Sequence, residues 1–406
     1  MRRFGRRAAQ AAVVLGAAAL AVAVATGFTS GGSSAGLAKG TIKVGYGNNL
    51  TGFLAVHDKL ISNGAKLAVE QINGKGGIGG KVKIALTLED VKSDPAVSVQ
   101  VANDLIGKHV GVLVLPCNTD YQVAMASVAQ RKKQFTLSPC NGDPTVAKKF
   151  PVYWPVGMAG NAQMAQLASY AKLRKYKRVY VLDSPSFLYV QLMAKYFKKA
   201  APSRGISIVG TDHIPFGATG FAGSPEGYAA IVTKIKNANT KPSAIMTGLF
   251  SPFVDFLARE LKAQGVKVPI IGSDGMDTAV DLQVGGSAVN GYGFSTFGYP
   301  DKGTATARFY SQFRKRFGAS PDGTYPALGY DTIKVLAAAV LKAGSTDPKK
   351  IQAALSAGMT VNGALGPVKY KGGGQHNPTN LVVVDQIKGG KFVKVLKSVP
   401  TKVPAP

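Results

Sequence analysis

The sequence has few of the histidines and cysteines that build metal centres and activated nucleophile sites. Its histidines are widely separated, and none stands at metal-ligand spacing from a Cys, Asp or Glu; they are His57, His109, His213 and His376. A Gly-x-Ser-x-Gly elbow, which would present a serine nucleophile, is also absent. These absences favour a binding protein over an enzyme, and we expect the protein to need neither a metal nor a cofactor.

Two glycine-rich segments fall short of nucleotide-binding motifs. In GYGNNLTG, Leu50 stands where a dinucleotide fingerprint requires its third glycine. In GKGGIGGK, Lys75 stands where a phosphate-binding loop requires a glycine, five residues before Gly80. We therefore interpret the second segment as a turn.

Cysteine is nearly absent, since the chain contains only Cys117 and Cys140. An even number of cysteines in an oxidising compartment favours a disulfide, although the spacing alone does not prove the pairing. Neither cysteine directly follows the apolar run near the amino terminus, so no lipid-attachment site is expected there.

The first 25 residues are laid out like a secretory signal. Arg2, Arg3, Arg6 and Arg7 precede an apolar run at 11–25, which ends in small residues at A-x-A spacing and is followed by a Gly/Ser-rich linker at 26–40. A retained membrane anchor is the alternative, but a spanning helix usually needs about 20 apolar residues. We expect an exported, extracytoplasmic protein.

The sequence is strongly basic, with 49 Lys and Arg against 21 Asp and Glu and a formal net charge of +28. The basic clusters at 131–133, 174–178 and 314–316 stand beside helical patterns, so solvated helix faces or ends account for them. No nucleic-acid-binding module accompanies them, and no nucleic-acid partner is expected. Contact with anionic membrane or wall polymers is a further hypothesis for an exported protein.

Short β-branched runs alternate with amphipathic stretches from Thr41 onward, which is typical of βαβ units and a parallel sheet. The predicted strands are 41–47, 82–90, 110–116, 134–139, 178–183, 206–215, 243–249 and 269–274. The predicted helices are 61–72, 96–106, 121–130, 162–173, 188–201, 228–237, 252–264, 304–317 and 325–343. A final sheet-like tail contains two Gly-rich turns that suit hairpins.

About 380 residues beyond the leader are too many for one domain of usual size, so two domains are expected. Pro, Gly and aromatic residues accumulate in PVYWPVGMAG, where we place a crossing between domains. The pattern predicts an α/β fold of two doubly wound parallel-sheet lobes joined by a multi-strand hinge. Lobe 1 is expected at 41–157 and 291–364, lobe 2 at 158–290 and 365–400, and a tail at 401–406. A ligand in such a clamp lies between the carboxyl ends of the two sheets.

Three segments resemble the leucine/isoleucine/valine-type periplasmic binding proteins of ABC importers, which have the type I binding-protein fold. IKVGYGNNLTG and GAKLAVEQINGKGGIGGKVKIALTLEDVKSDPAVSVQVANDLI resemble that family's opening strand, helix, glycine turn and second strand in order. LGPVKYKGGGQHNP resembles its late return strand and hairpin. The likeness spans almost all of 41–400.

The resemblance implies ligand-binding residues in the loops after the strands of lobe 1. In the family, a small hydroxyl residue after the third strand holds the ligand carboxylate, and here Cys117 and Asn118 stand there. The next loop offers Cys140, Asn141 and Gly142. The expected hydroxyl is absent at these positions, and two amides are available to bond a carboxylate or an amide instead. The implied fold also brings the two cysteines close enough for a disulfide, which would stiffen the cleft floor.

From lobe 2, the resemblance implies an aromatic at Phe187 and another at Phe250, and an acid at Asp274 that pairs with a ligand ammonium. Tyr325 and His57 fall at further pocket positions. Each aromatic has an alternative as a core residue, and Asp274 has one as a turn or N-cap residue.

The family resemblance implies a monomeric solute-binding protein that works with ABC permease subunits. Its expected ligand is a branched-chain amino acid or a related amide, urea-like compound or aromatic acid. A ligand-sensing or wall-associated interaction protein that uses the same clamp without an importer is the alternative.

Overall fold

The structure is a computed structural model that describes residues 36–214 and 225–406. Its strands are β1 Gly40–Asn48, β2 Val82–Asp90, β3 Val112–Val114, β4 Thr136–Ser138, β5 Tyr153–Pro155, β6 Arg178–Asp183, β7 Ser207–His213, β8 Ala244–Thr247, β9 Ile270–Gly272, β10 Gly293–Thr296, β11 Met359–Asn362, β12 Pro367–Tyr370, β13 Val382–Lys388 and β14 Lys391–Ser398. Its helices are α1 Ala55–Gly74, α2 Pro95–Gly107, α3 Thr119–Arg131, α4 Val146–Lys149, α5 Gly160–Leu173, α6 Leu188–Ala200, α7 Ala229–Asn237, α8 Phe253–Ala263, α9 Ala305–Phe317, α10 Tyr325–Ala343 and α11 Pro348–Ser356. The predicted leader, and the predicted linker as far as residue 35, lie outside the described residues.

Two sheets organise these elements into two lobes. The first has the order β2-β1-β3-β4-β5 with all strands parallel. The second has the order β14-β13-β10-β9-β8-β6-β7, in which β13 pairs antiparallel with both β10 and β14 and the other neighbours pair in parallel. The predicted α/β fold with two doubly wound lobes is confirmed.

The first sheet is buried on both faces, because alternate residues of its short central strand pack into different cores. Val112 and Val114 lie in a core with α1 and α10 residues, whereas Leu113 packs with residues of α2 and α3. The second sheet has its own core. Covered faces explain why these strands are continuously apolar rather than alternating.

The strand pairing differs from the expected lobe boundaries at two places. Strand β10 pairs with β9 in the second sheet, although we expected the chain to return to lobe 1 at residue 291. Val368 and Tyr370 of β12 are buried in the core of the first lobe, although 365–400 was expected in lobe 2. Strands of four residues carry too little pattern to reveal which sheet they join. We expected a crossing between domains at PVYWPVGMAG. This segment contains β5, the last strand of the first sheet.

Two helix glycines let α1 and α10 approach closely. A Cβ on Gly64 would lie 1.6 Å from the carbonyl oxygen of Pro326, and one on Gly329 would lie 1.9 Å from that of Ile61. Only glycine permits such a backbone approach. The packing places the start of α1 beside the start of α10, and both helix starts contribute to the site described next. No helix in the described ranges is long and apolar enough to cross a membrane.

Candidate functional site

A cavity lies where the carboxyl ends of strands from the two sheets meet. It has a volume of about 40 Å³, which is room for a few water-sized groups. Its walls come from both lobes, and the lining residues are Leu54, His57, Asp58, Cys117, Asn118, Cys140, Asn141, Gly142, Met158, Gln163, Tyr189, Phe250, Asp274, Gly275, Phe297 and Tyr325. The structure therefore brings together nine of the ten residues that the sequence singled out as ligand-binding.

Phe187 is the exception, because it does not line the cavity. Its ring is buried and lies 5.5 Å, centroid to centroid, from the ring of Phe250, which does line it. Phe250 also packs edge-on against Phe253 at 5.4 Å. Thus Phe250 is both a cavity wall and part of an aromatic cluster, so the two alternatives from the sequence are combined in one side chain.

A disulfide joins Cys117, after β3, to Cys140, after β4, with Cα atoms 4.9 Å apart. Beneath it, the Gln122 amide donates to the carbonyl oxygen of Cys117 at 2.6 Å and to the Ser138 hydroxyl at 2.9 Å. The Tyr153 hydroxyl donates to the carbonyl oxygen of Cys140 at 3.1 Å. Covalent and hydrogen-bonded links therefore hold both loops of the cavity floor in place.

Asp274 is buried and receives hydrogen bonds from tyrosines on different helices. The Tyr189 hydroxyl donates to its Oδ1 at 2.6 Å, and the Tyr325 hydroxyl donates to its Oδ2 at 3.0 Å. Its backbone N–H donates to Gln163 Oε1 at 3.2 Å. Burial raises the pKa of Asp274, and the hydrogen bonds from both tyrosines and Gln163 oppose that rise. The site supplies a carboxyl group fixed in orientation by three elements.

His57 lines the cavity, and neither of its ring nitrogens has a hydrogen-bond partner among the described residues. Its ring centroid lies 4.8 Å from that of Tyr325, because α1 and α10 pack closely. The residue is 5% exposed, and burial lowers its pKa to about 4. The imidazole is therefore neutral at physiological pH, with one N–H donor and one acceptor nitrogen.

Asn141 is held in one orientation by contacts remote in sequence. The Asn377 amide donates to the carbonyl oxygen of Pro144 at 2.9 Å, so its Oδ1 remains to accept from the Asn141 amide at 3.0 Å. Asn141 Oδ1 is buried, and no group in the described part of the chain donates a hydrogen bond to it. Asn118 differs, since its Oδ1 accepts from the backbone N–H of Asp120 at 2.9 Å and caps α3.

Sequence analysis missed a second carboxyl group in the cavity wall. Asp58 follows His57 on α1 and accepts from the side-chain amide of Asn49 at 2.5 Å. Burial raises its pKa to about 7, against hydrogen bonds from Asn49 and Cys117. The signal in the sequence was the position of Asp58 directly after His57, which was already predicted to line the pocket.

A hydroxyl also lies beside the cavity loops, one residue after those that the sequence singled out. Thr119 is fully buried, and its Oγ1 has no hydrogen-bond partner within residues 36–214 and 225–406. A Cβ on Gly142 would lie 2.2 Å from that oxygen, so the two loops touch here. The hydroxyl that was absent at positions 117 and 118 is thus present nearby, although Thr119 does not itself line the cavity.

The lobes also contact each other beside the cavity. The Asp120 carboxylate, at the start of α3, accepts from the backbone N–H groups of Leu188 at 3.0 Å and Tyr189 at 3.4 Å, at the start of α6. A carboxylate at a helix amino terminus is favourable, because it meets unpaired N–H groups and the positive end of the helix dipole. The contact joins the two lobes at one edge of the cavity.

The lining offers no metal-binding arrangement within the described ranges, where no group of three or more His, Cys, Asp or Glu side chains is placed to hold an ion. None of the described lining residues is Lys or Arg. The cavity therefore combines two acids, a neutral histidine, two tyrosine hydroxyls and amides with an apolar wall. Such a surface can bind a small molecule by hydrogen bonds and apolar packing.

Comparison with known proteins places this geometry in a family. Residues 41–391 match the family model described as periplasmic binding protein. The chain is similar to the Leu/Ile/Val-binding protein BraC3 of Rhizobium johnstonii, with 27% identity over 82% of this chain and 88% of the relative. It is also similar to Leu/Ile/Val-binding protein homolog 1 of Brucella abortus, with 27% identity over 91% of this chain and 96% of the relative.

Solved structures share the fold at lower identity. A leucine-binding protein, LivK, from Thermotoga maritima superposes with a TM-score of 0.79 and 23% identity, covering 88% of this chain and 99% of that one. A solute-binding protein of an ABC transporter from Rhodopseudomonas palustris BisB5, in complex with 3,4-dihydroxybenzoic acid, has a TM-score of 0.77 and 22% identity, covering 90% and 99%. The match of the family model over most of the sequence shows that this chain belongs to the periplasmic binding protein family, as its resemblance to the leucine/isoleucine/valine-type members predicts.

Proposed function

We propose that this chain is the extracytoplasmic solute-binding protein of an ABC importer. In this role it holds a branched-chain amino acid or a related small polar solute in the cavity between its lobes. The curated relatives are named for binding leucine, isoleucine and valine. Structural neighbours from Rhodopseudomonas palustris are described with aromatic acids, which belong to the same set of candidate ligands.

The observation that carries this proposal is the cavity lined from both lobes, in which some buried polar atoms have no hydrogen-bond partner in the described structure. His57 and Asn141 reach it from the first lobe, and Asp274 and Phe250 reach it from the second. Buried polar groups need hydrogen-bond partners, so a ligand that supplies these partners binds more tightly than one that leaves them unpaired.

Contacts with both lobes explain how the membrane permease would distinguish the ligand-bound protein from the free protein. A ligand that touches Asp274 and Asn141 at once favours the arrangement in which the lobes are close. The permease subunits would then recognise the paired lobes of the monomer. The predicted leader supplies the route out of the cytoplasm, after which the protein works outside the membrane.

A thermal-shift screen of purified protein tests the proposal. The compounds are the branched-chain amino acids, short amides, urea and hydroxylated benzoic acids, each over a range of concentrations. A ligand that binds only the folded state raises the unfolding midpoint with concentration. We expect at least one compound to do so and the Asp274→Ala variant to lose that response. A screen in which no small solute stabilises the native protein would contradict the proposal.

A further inference from the structure

The second lobe carries a band of positive charge at the edge of its sheet opposite the cavity. Strands β6, β8 and β9 are parallel neighbours, so the segments that lead into them lie along one edge. The cavity lies at the carboxyl ends of strands, whereas this edge is formed by their amino ends. The segment that leads into β6 has the sequence KLRKYKR, and its exposed cations are Lys172, Arg174, Lys175, Lys177 and Arg178.

The segments that lead into β8 and β9 continue this band. Their exposed cations are Lys236, Lys241, Lys262 and Lys267. Arg178 Nε donates to the carbonyl oxygen of Lys241 at 2.9 Å, and Lys236 Nζ donates to that of Gln264 at 3.0 Å. The three segments therefore touch and form one surface, the basic edge, which comprises residues 172–178, 236–243 and 262–269.

No acid of its own balances the basic edge, because its three segments contain no Asp or Glu. None of its cations belongs to an ion pair within the described ranges. Glu260, in the last turn of α8, is 9% exposed, and its Oε1 accepts from the Gln264 amide at 2.7 Å. Cations at helix ends favour the helix dipole, but Lys177, Lys241 and Lys267 lie outside the helices. These charges remain available to an anionic partner.

Apolar side chains accompany the charges of the basic edge. Leu173 is 58% exposed, more than any other large apolar residue in the described part of the chain. Lys262 and Lys267 line a groove of about 430 Å³, whose apolar walls include Leu261 and Val266. A soluble polyanion offers charge alone, whereas a phospholipid bilayer offers anionic head groups above an apolar layer. The combination of charge and exposed apolar surface therefore favours a bilayer.

We propose that the basic edge binds the surface of an anionic phospholipid bilayer, with its Lys and Arg side chains on the head-group phosphates and Leu173 in the apolar layer beneath them. Each cation close to an anionic membrane strengthens binding about fivefold. The inference goes beyond the proposed function, because this surface lies at the other end of the strands from the cavity. It takes from that proposal only the location outside the cytoplasm.

Sedimentation with lipid vesicles measures this binding. The protein is the exported form that begins at residue 26, because the predicted leader is itself basic and apolar. Vesicles of equal parts phosphatidylglycerol and phosphatidylcholine are compared with vesicles of phosphatidylcholine alone. At about 0.1 M salt we expect binding to the anionic vesicles only, and release at about 1 M salt, because the Debye length falls from about 10 Å to about 3 Å. No binding to the anionic vesicles, or equal binding to both kinds, overturns the proposal.

Two triple variants with the same change of charge locate the surface. The first, at the end of α5, is Lys172→Gln, Arg174→Gln, Lys175→Asn. The second, at the end of α3 in the first lobe, is Arg131→Gln, Lys132→Gln, Lys133→Asn. Both turns are exposed, and Lys175 and Lys133 have the left-handed backbone that asparagine tolerates, with φ of 60° and 53°.

The first triple variant should bind anionic vesicles at least about tenfold more weakly than the native protein, and the second less than about threefold more weakly. Equal losses would show that net charge alone governs binding, which overturns the assignment to the basic edge. The unfolding midpoint in solution shows whether each variant is folded.

Leu173→Gln keeps the charge and separates a bilayer from a soluble polyanion. We expect it to weaken vesicle binding at least about fourfold, the value of one buried CH₂ group, and to leave the affinity for polyphosphate unchanged. An unchanged affinity for vesicles, or an equal loss for both partners, assigns the surface to polyanions in general and overturns the proposal.

The thermal-shift response to a bound solute should be the same in all these variants, because the basic edge is remote from the cavity. Loss of vesicle binding therefore leaves the proposed function intact, and a failed solute screen leaves the vesicle result intact.

Discussion

The Tyr325 hydroxyl donates to Oδ2 of Asp274 at 3.0 Å, and this bond connects the helix start packed on the first lobe with the loop after β9 of the second. Both residues are at least 95% buried, so water does not replace the bond easily. The same carboxyl group accepts from Tyr189, which belongs to the second lobe. Asp274 is thus the point where side chains of both lobes meet.

Tyr325→Phe tests this connection with the ring retained. The substitution leaves Asp274 Oδ2 without its donor, and we expect the free energy of unfolding to fall by about 1–3 kcal/mol in chemical denaturation. The matched control is Tyr330→Phe on the same helix, whose hydroxyl donates to Gln71 at 2.8 Å outside the cavity. Ligand affinity should fall in the first variant and remain unchanged in the second; equal affinity in both would contradict the role of the Tyr325 bond.

Phe250→Ala should affect both stability and binding, because this residue joins an aromatic cluster and lines the cavity. Truncating a buried Phe costs about 3–5 kcal/mol. Phe187→Ala is the comparison, since Phe187 supports the cluster but does not line the cavity. In thermal unfolding and ligand titration, both variants should be destabilised. Phe250→Ala should lose more affinity, and a larger affinity loss in Phe187→Ala would contradict the assignment.

The fold and the position of the site could be predicted from sequence, whereas the network within the site could not. Alternating strands and helices predict the parallel sheets and a site at the carboxyl ends of their strands. The resemblance to the binding-protein family then identifies Cys117, Asn141 and Asp274 as residues of that site. Tyr189 was missed because it belongs to the predicted helix 188–201, and an aromatic in a helical pattern is usually a core residue. The orientation of Asn141 depends on Asn377, 236 residues later, and no local pattern reports such a contact.

The disulfide between Cys117 and Cys140 should stabilise the cavity floor. It closes a loop with a sequence separation of 23 residues, for which the loss of chain entropy in the unfolded state corresponds to about 3 kcal/mol. We expect the Cys117→Ser, Cys140→Ser double variant to unfold at a lower midpoint in non-reducing conditions. A reducing agent should lower the midpoint of the native protein and leave that of the double variant unchanged. A native midpoint insensitive to complete reduction would contradict this prediction.

Asp255 and Asp281 form a buried pair of acids behind the Phe250 loop. Both are fully buried, and the Ser251 hydroxyl donates to Asp281 Oδ1. Burial raises the pKa of Asp255 to about 7, and burial together with the charge of Asp255 raises the pKa of Asp281. Because protons are bound more tightly in the folded state, the stability that this pair contributes is complete below about pH 4 and is lost as pH rises towards 7.

The Asp255→Asn variant reduces this pH dependence, because only Asp281 then remains as a buried acid. Relative to the native protein, we expect the variant to gain at least about 1 kcal/mol in the free energy of unfolding between pH 4 and pH 8. Denaturant unfolding at both pH values measures the difference. The control is Asp347→Asn, at a surface residue that caps a helix. This substitution should change the difference in unfolding free energy between the two pH values only slightly. A variant that is less stable than the native protein by the same amount at both pH values would contradict the claim that the stability contributed by this pair depends on pH.

The most direct measurement is the affinity of Asp274→Ala for the best ligand from the screen, determined by titration calorimetry. Removing a buried acceptor that meets a ligand donor should weaken binding by about 2 kcal/mol or more, roughly thirtyfold in Kd. A folded Asp274→Ala protein that binds the ligand as tightly as the native chain would show that the solute does not lie between the lobes at this carboxyl group.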